Sequence, residues 1–300
     1  MPDVVHVALS GRTKSGKTNM FYDFADSLTA GTHGYAQWRA MKIDLNREHM
    51  IRVRKSREAK RTDSTRVATD TLFDLSFRKD QRSADRYSCS IHVRDSPGGA
   101  AYPVGELDAA MAAEKIKYDD WLKQSVGIVL VVSALESFKL NGESGLVDSV
   151  ELFFDNAGKA EFQNLKRLVF VVSMFDLLLL KFGRMARIVA ANPQAVLDIL
   201  HAHLFPVRRL IENFKPAPGQ RNQLDLRFLA TSSYGFVPEF GCPNVDVDSA
   251  ELDPALESYP EPLADRSPYM VADPFVFAAT GLENQFLFKR EEILSGKLRA

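Results

Sequence analysis

Eight residues near the start of the chain, Gly11-Arg-Thr-Lys-Ser-Gly-Lys17-Thr18, restrict its fold more than any other feature. They match G-x-x-x-x-G-K-[ST] in full. The flanks set the local structure: Val4–Leu9 reads as a buried strand that runs into Gly11. Lys17–Leu28 reads as a helix with Phe21, Phe24 and Leu28 on one face. A strand, a glycine-rich turn and a helix, in that order, wrap successive backbone N–H groups round an anion and aim the positive end of the helix at it. The residues expected at such a phosphate group are Gly11, Lys14, Ser15, Gly16, Lys17, Thr18 and Asn19. Lys17 is placed to bridge the β- and γ-phosphates, and the Thr18 hydroxyl to hold Mg²⁺.

The remaining pattern alternates short apolar runs with longer helical stretches, as in an α/β protein. Gly127–Ser133 and Leu168–Ser173 are continuous apolar runs, the mark of central strands covered on both faces. Leu224–Ala230 reads as a last strand. Thr71–Phe77 and Cys89–Val93 alternate instead, which predicts a half-exposed hairpin at one edge of the sheet. Helices are expected over Glu106–Gln124 and Leu146–Phe162, with a pair across Leu177–Phe214 broken near Asn192-Pro193. The fold class expected is therefore α/β, a three-layer P-loop arrangement whose mostly parallel sheet carries one antiparallel edge hairpin. From Pro238 to Pro274, prolines alternate with acids such as Asp246, Asp248, Glu251 and Asp253, and an extended arm is predicted. Phe275–Phe288 is expected to form a closing helix. On this reading residues 1–236 form the nucleotide-binding domain, and 237–300 an arm and helix packed on the same domain.

Three further motifs stand where strands end. Asp95-Ser-Pro-Gly98 is D-x-x-G; a carboxylate there can reach Mg²⁺ through water, and Gly98 can offer its N–H to the γ-phosphate. Its residue types also suit a simple turn. Ser173-Met-Phe-Asp176 follows the Leu168–Val172 run, and Asp176 can cap a helix starting at Leu177. Thr231-Ser232-Ser233 follows the last strand and has a common turn composition.

The order of these elements over roughly residues 4–235 resembles the Ras-like, TRAFAC class of P-loop GTPases. Asp95-Ser-Pro-Gly98 is similar to that family's D-T-P-G, Ser173-Met-Phe-Asp176 stands at its N/T-K-x-D, and Thr231–Ser233 at its S-A-K, which implies that Asp176 accepts from guanine N1 and N2 and that Thr231, Ser232 and Ser233 meet guanine O6. The stretched spacings and the altered base-reading motif look more like the bacterial double-GTPase families of conflict systems. The resemblance implies GTP or GDP with Mg²⁺ as ligands, with Thr18 and Asp95 at the metal. It also implies a switch threonine there, and Thr69 and Thr71, just ahead of the edge strand, are preferred to Thr62 and Thr65. Lys17, Thr18 and Gly98 would carry the chemistry, and loops at Arg57–Thr71 and Asp95–Glu106 would signal to a protein partner.

The departures matter. Ser173 and Met174 replace the Asn/Thr and Lys of the base-reading motif, and Gly99 stands where many such enzymes carry a water-orienting Gln. Ser96, rather than Glu, follows Asp95, which argues against AAA or transporter-type ATPases. A binding scaffold without turnover and an ATP-dependent phosphotransferase therefore remain as alternatives. Arg47, Arg52, Arg54, Lys55, Arg57, Lys60, Arg61 and Arg66 crowd one segment. That segment reads as a solvated insertion, as a source of an arginine acting in cis, or as a docking surface for acids such as those of the arm.

Composition excludes several other classes. With a formal net charge of -1, the chain has no global attraction to nucleic acid, and no recognised RNA-binding motif accompanies the basic segment. Cys89 and Cys242 make no disulfide framework and have no metal-ligand spacing. No apolar run is long enough for a membrane span, and the start lacks a signal-peptide pattern, so a cytoplasmic setting is expected. His6, inside the first strand, reads as a packed residue rather than a catalyst.

Overall fold

The computed structural model describes residues 4–12, 15–30, 38–44, 69–78, 86–95, 108–135, 145–157, 164–216, 224–246 and 261–299. They form a three-layer α/β fold around one sheet of eight strands. The strands are β1 Val4–Ser10, β2 Trp38–Asp44, β3 Thr69–Arg78, β4 Arg86–Asp95, β5 Gly127–Ser133, β6 Arg167–Ser173, β7 Asp225–Ala230 and β8 Phe288–Lys289. Their order is β2-β3-β4-β1-β5-β6-β7-β8. The five strands from β4 through β1, β5 and β6 to β7 are parallel. The order reverses about β1, and α/β folds place their ligand crevice at the carboxyl ends of the strands beside such a reversal.

The apolar runs of β5 and β6 sit where burial on both faces requires them. All of β5 is buried, and so is β6 after Arg167. The expected hairpin is present as β3 against β4, but it is not the edge of the sheet. β4 lies inside, paired parallel with β1, while β2 adds an outer antiparallel strand to β3. β2, Trp-Arg-Ala-Met-Lys-Ile-Asp, mixes charged and apolar residues too evenly to stand out in the sequence.

Helices cover the sheet: α1 Lys17–Ala30, α2 Ala109–Gln124, α3 Gly145–Ala157, α4 Phe175–Leu178, α5 Ala186–Ala190, α6 Pro193–His203, α7 Arg208–Asn213, α8 Asp273–Thr280 and α9 Arg290–Ser295. The helix pair expected over Leu177–Phe214 is cut finer, into α4 to α7 with 3₁₀ turns at Leu180–Met185 and Phe205–Val207. The break at Asn192-Pro193 is as expected: the Asn192 carboxamide oxygen accepts from Ala195 N–H at 3.1 Å, and Pro193 opens α6.

The closing helix is shorter than the sequence suggests. α8 stops at Thr280 because Gly281 turns left-handed (φ 77°), and Phe288 lies in β8 instead. Every residue from Asp273 to Ala279 is buried. Phe275 stacks on Phe24 of α1 at 4.6 Å between centroids. α8 also runs so close to β5 that a methyl on Gly127 would stand 2.2 Å from the Ala278 carbonyl oxygen. Gly127→Ala is therefore expected to cost about 1–3 kcal/mol or more through overpacking. A urea midpoint equal to wild type would refute this account of the α8–β5 contact.

Candidate nucleotide site

The C-terminal ends of β1, β4, β5, β6 and β7 share one edge of the sheet, and every motif singled out in the sequence follows one of them. Gly11 begins the first loop with φ 145°, and Gly16 ends it with φ 85°. Both angles favour glycine. Gly11 is also sterically required, since a methyl there would stand 2.3 Å from the Val131 carbonyl oxygen. The turn closes through Ser15 N–H to the Arg12 carbonyl (3.2 Å), and Met20 N–H starts the ladder of α1 on the Gly16 carbonyl (2.9 Å). The N–H groups of the first turn thus lie at the end of α1 that favours an anion.

Lys17 is buried, and its ammonium donates to the carbonyls of Gly11 (2.7 Å) and Arg12 (2.8 Å). Thr18 follows it in the first turn of α1. Ser15 is fully buried, and its Oγ has no hydrogen-bond partner among the described residues. Buried hydroxyls are seldom left unpaired. An orphaned hydroxyl, a buried ammonium and two positive-φ glycines in one loop fit a phosphate group, whose oxygens would accept from the first two. Lys14 lies outside the described residues.

The second half of the site is fastened to this loop. The Ser173 hydroxyl, at the end of β6, donates to the Ser15 carbonyl at 2.6 Å and lies 3.2 Å from the Val132 carbonyl. Met174 then takes a left-handed conformation (φ 57°), unusual for a side chain of its size. The Ser133 hydroxyl donates to its sulfur at 3.3 Å, and a methyl on Gly16 would stand 3.6 Å from Met174 Cε. Met174 therefore lies along the glycine loop.

Asp176 is not a helix cap. α4 starts at Phe175, and Asp176 sits in its first turn. Its carboxylate is buried and accepts from the Ser232 hydroxyl and from the N–H groups of Asp176 and Leu177. Burial is the largest influence on it and pushes its pKa up to about 6, against these hydrogen bonds, which lower it. Ser232 Oγ in turn accepts from Tyr234 N–H (3.2 Å) and Gly235 N–H (2.8 Å). Phe175 N–H donates to the Thr231 carbonyl at 3.0 Å, and Thr231 N–H to the Val172 carbonyl at 2.9 Å. The S-M-F-D and T-S-S loops are thus one hydrogen-bonded unit, with Ser233 half-exposed beside it.

The arm supports that unit. Ser232 and Tyr269 exchange backbone hydrogen bonds at 3.0 and 2.8 Å, and Tyr269 OH reaches the Ala190 carbonyl at 2.9 Å. The Asn244 carboxamide ties the loop to the arm, donating to the Ala264 carbonyl (3.1 Å) and accepting from Ala264 N–H (2.8 Å). Composition in this stretch signals only irregular backbone; the pairings were not legible there.

For the metal side, the backbone gives register. Asp95 ends β4 opposite Leu9 of β1, next to the start of the glycine loop. Thr69 pairs with Asp95 across the β3–β4 ladder and so reaches the same edge, whereas Thr71 pairs with Val93, two residues further in. Thr18, in the first turn of α1, and the backbone of Asp95 and Thr69 thus lie at the same edge of the sheet. Gly98, Gly99 and the basic segment Arg47–Arg66 lie outside the described residues.

One connection had no signal in the sequence. α2 rests on β1 and β4 partly through polar contacts: Tyr118 OH with Ser10 Oγ (2.6 Å), Trp121 Nε1–H to the Val7 carbonyl (3.3 Å) and Arg94 with Glu114 (3.8 Å). Burial pushes the Tyr118 phenol pKa up. Ser10 and Arg94 immediately precede Gly11 and Asp95. His6 is half-buried here, packed against His92 and edge-on to Trp121 at 4.9 Å.

No family model matches the chain, and no curated protein matches it in sequence. Among solved structures it is similar to one described as the structure of the mammalian SRP receptor, with 15% identity, a TM-score of 0.36, and coverage of 76% of this chain and 91% of that chain. No helix among the described residues is long and apolar enough to cross a membrane.

Proposed function

We propose that this chain is a Mg²⁺-dependent guanine-nucleotide switch with slow GTP turnover, signalling through the segments around Thr69 and after Asp95 to a protein partner. The observation that carries this reading is the joined pair of loops. Asp176 and Ser232 form one polar group at the strand edge, and Ser173 ties that group to the phosphate loop. A buried carboxylate presented there suits the two N–H donors of guanine and has no matching donor pair on adenine. Lys17 and the loop amides would hold the phosphates, and Thr18 with Asp95 would hold Mg²⁺. The bound cation would neutralise charge on the β- and γ-phosphates. Because Ser10 and Arg94 contact α2, a change in either loop would be passed to that helix. Titrating purified protein with GDP, GTP and ATP in the presence of Mg²⁺ tests the reading. Guanine nucleotides should bind more tightly, and ATP binding as tight as GTP would reject it in favour of a phosphotransferase.

Turnover is expected to be slow. Gly99 has no side chain with which to orient water, and positioning with charge stabilisation supplies nearly all of this catalysis. Single-turnover hydrolysis should run at ~10⁻⁴ s⁻¹ or below, the rate of an unassisted small GTPase. If an arginine of the basic segment acts in cis, the rate should approach ~10⁻² s⁻¹. It should then drop on Ala substitution at one of Arg52, Arg54, Arg57, Arg61 or Arg66. Fast turnover that survives every substitution would overturn this account, and no turnover beside tight binding would favour the scaffold.

A further inference from the structure

The two base-side loops each lead into exposed chain, and the two stretches meet. After α4 the chain passes through Lys181 and Arg184 into α5, and after the T-S-S loop it makes a turn at 238–241. Arg187 N–H donates to the Gly241 carbonyl (3.0 Å), and the Arg187 guanidinium to the Pro238 carbonyl (3.2 Å). The Arg184 guanidinium lies over the Phe240 ring at 5.7 Å. The turn approaches so closely that a methyl on Gly241 would stand 3.0 Å from the Arg184 carbonyl oxygen. These contacts fix the shape of the surface they form.

That surface exposes large apolar side chains: Met185 is 54% exposed, Ile188 61% and Phe240 53%. Met185 and Ile188 are three residues apart about the first turn of α5, and therefore share a side. Exposed Lys181, Arg184 and Arg187 stand among them, with Glu239 as the one exposed acid of these two segments. Three bulky apolar groups gathered on one face among cations form a patch of the kind that marks an interaction site. At the boundary of an anionic bilayer both parts are satisfied: the apolar side chains enter the acyl region, and the long basic stems lie along it with their charges at lipid phosphates.

We propose that this face, built from Lys181–Ile188 and the Pro238–Gly241 turn, docks the protein peripherally on anionic lipid membranes. It leaves the base-side loops next to the lipid, since both of its segments continue directly from them. The assignment does not depend on which nucleotide the chain binds.

Flotation of the full chain with phosphatidylcholine vesicles, with and without 30% phosphatidylglycerol (about one anionic lipid in three, enough for a strong surface potential), tests it. Wild type should float with the anionic vesicles and stay behind with the neutral ones, and added salt should weaken binding. Lys181→Glu/Arg184→Glu should reduce binding at least about tenfold, and Met185→Ser/Phe240→Ser should do so with the cations intact. All four positions are exposed or part-exposed, and an unchanged circular dichroism melt confirms that each variant folds. Lys17→Ala should float like wild type, which separates this result from any failure of nucleotide binding. Absence of wild-type flotation would overturn the proposal and leave the face to an acidic protein partner. Flotation unaltered in both double variants would overturn it as well, by placing the lipid contact elsewhere.

Discussion

Lys17→Ala should lose tight Mg²⁺-nucleotide binding while remaining folded. Removing one partner of a buried, hydrogen-bonded charge pair costs about 2–5 kcal/mol, or roughly thirty- to several-thousand-fold in Kd. The ammonium is buried and held by two loop carbonyls, so it is positioned before any ligand arrives. The apolar core does not depend on it. The strands either side of the loop are packed through Leu9, Val129 and Val131, and α1 through Phe21 and Phe24. The thermal midpoint should therefore move little. Isothermal titration with GDP beside a melting curve checks both parts, and a folded variant with unchanged affinity would remove the phosphate-site assignment.

The second large effect is expected at Asp176. Asp176→Asn replaces an acceptor pair by one donor and one acceptor, so guanine N1–H and N2–H₂ lose their partner. Xanthine, which carries a carbonyl at position 2, gains one. GDP affinity should fall by about 2–5 kcal/mol, since a buried donor is left unpaired. XDP should bind the variant more tightly than GDP does. Equal GDP affinity in variant and wild type would show that Asp176 does not read the base.

The same carboxyl makes a pH claim whose sign is fixed. Its folded pKa, about 6, lies above the usual carboxylate value, so the folded state holds a proton that the unfolded state has already released. Stability of the free protein should fall as pH rises from about 4 to about 6, by about 3 kcal/mol at most, and then level off. Asp176→Asn should lack that part of the slope. Guanine affinity should run the other way, rising with pH through about 6 as the acceptor ionises. Urea unfolding and GDP titration across this range measure the two trends.

Legibility from the sequence followed how local each determinant is. The glycine loop, its strand and its helix were readable because the required angles, the missing side chains and the helix start lie within eight consecutive residues. The central strands were readable because burial on two faces demands unbroken apolar runs, as in β5 and β6. β2 was not readable, because an outer strand can keep charged residues. The end of α8 was misplaced because apolar residues recur past Gly281, at Leu282 and Phe286–Phe288, while the helix stops at the left-handed turn of Gly281 and Phe288 goes to β8.

The sequence by itself determined the glycine loop between β1 and α1, the α/β class and the order of motifs along the strand ends, all properties of short segments and their periods. Tertiary structure decided that Ser173 holds the glycine loop, that Asp176 is buried against Ser232, and that Thr69 rather than Thr71 pairs with Asp95. It also decided that Tyr118 meets Ser10 across the layers. Each of these joins residues that are far apart in the chain, from 26 positions for Thr69 and Asp95 to 158 for Ser15 and Ser173. Contacts of that range are set by sheet register and layer packing, which no local pattern encodes.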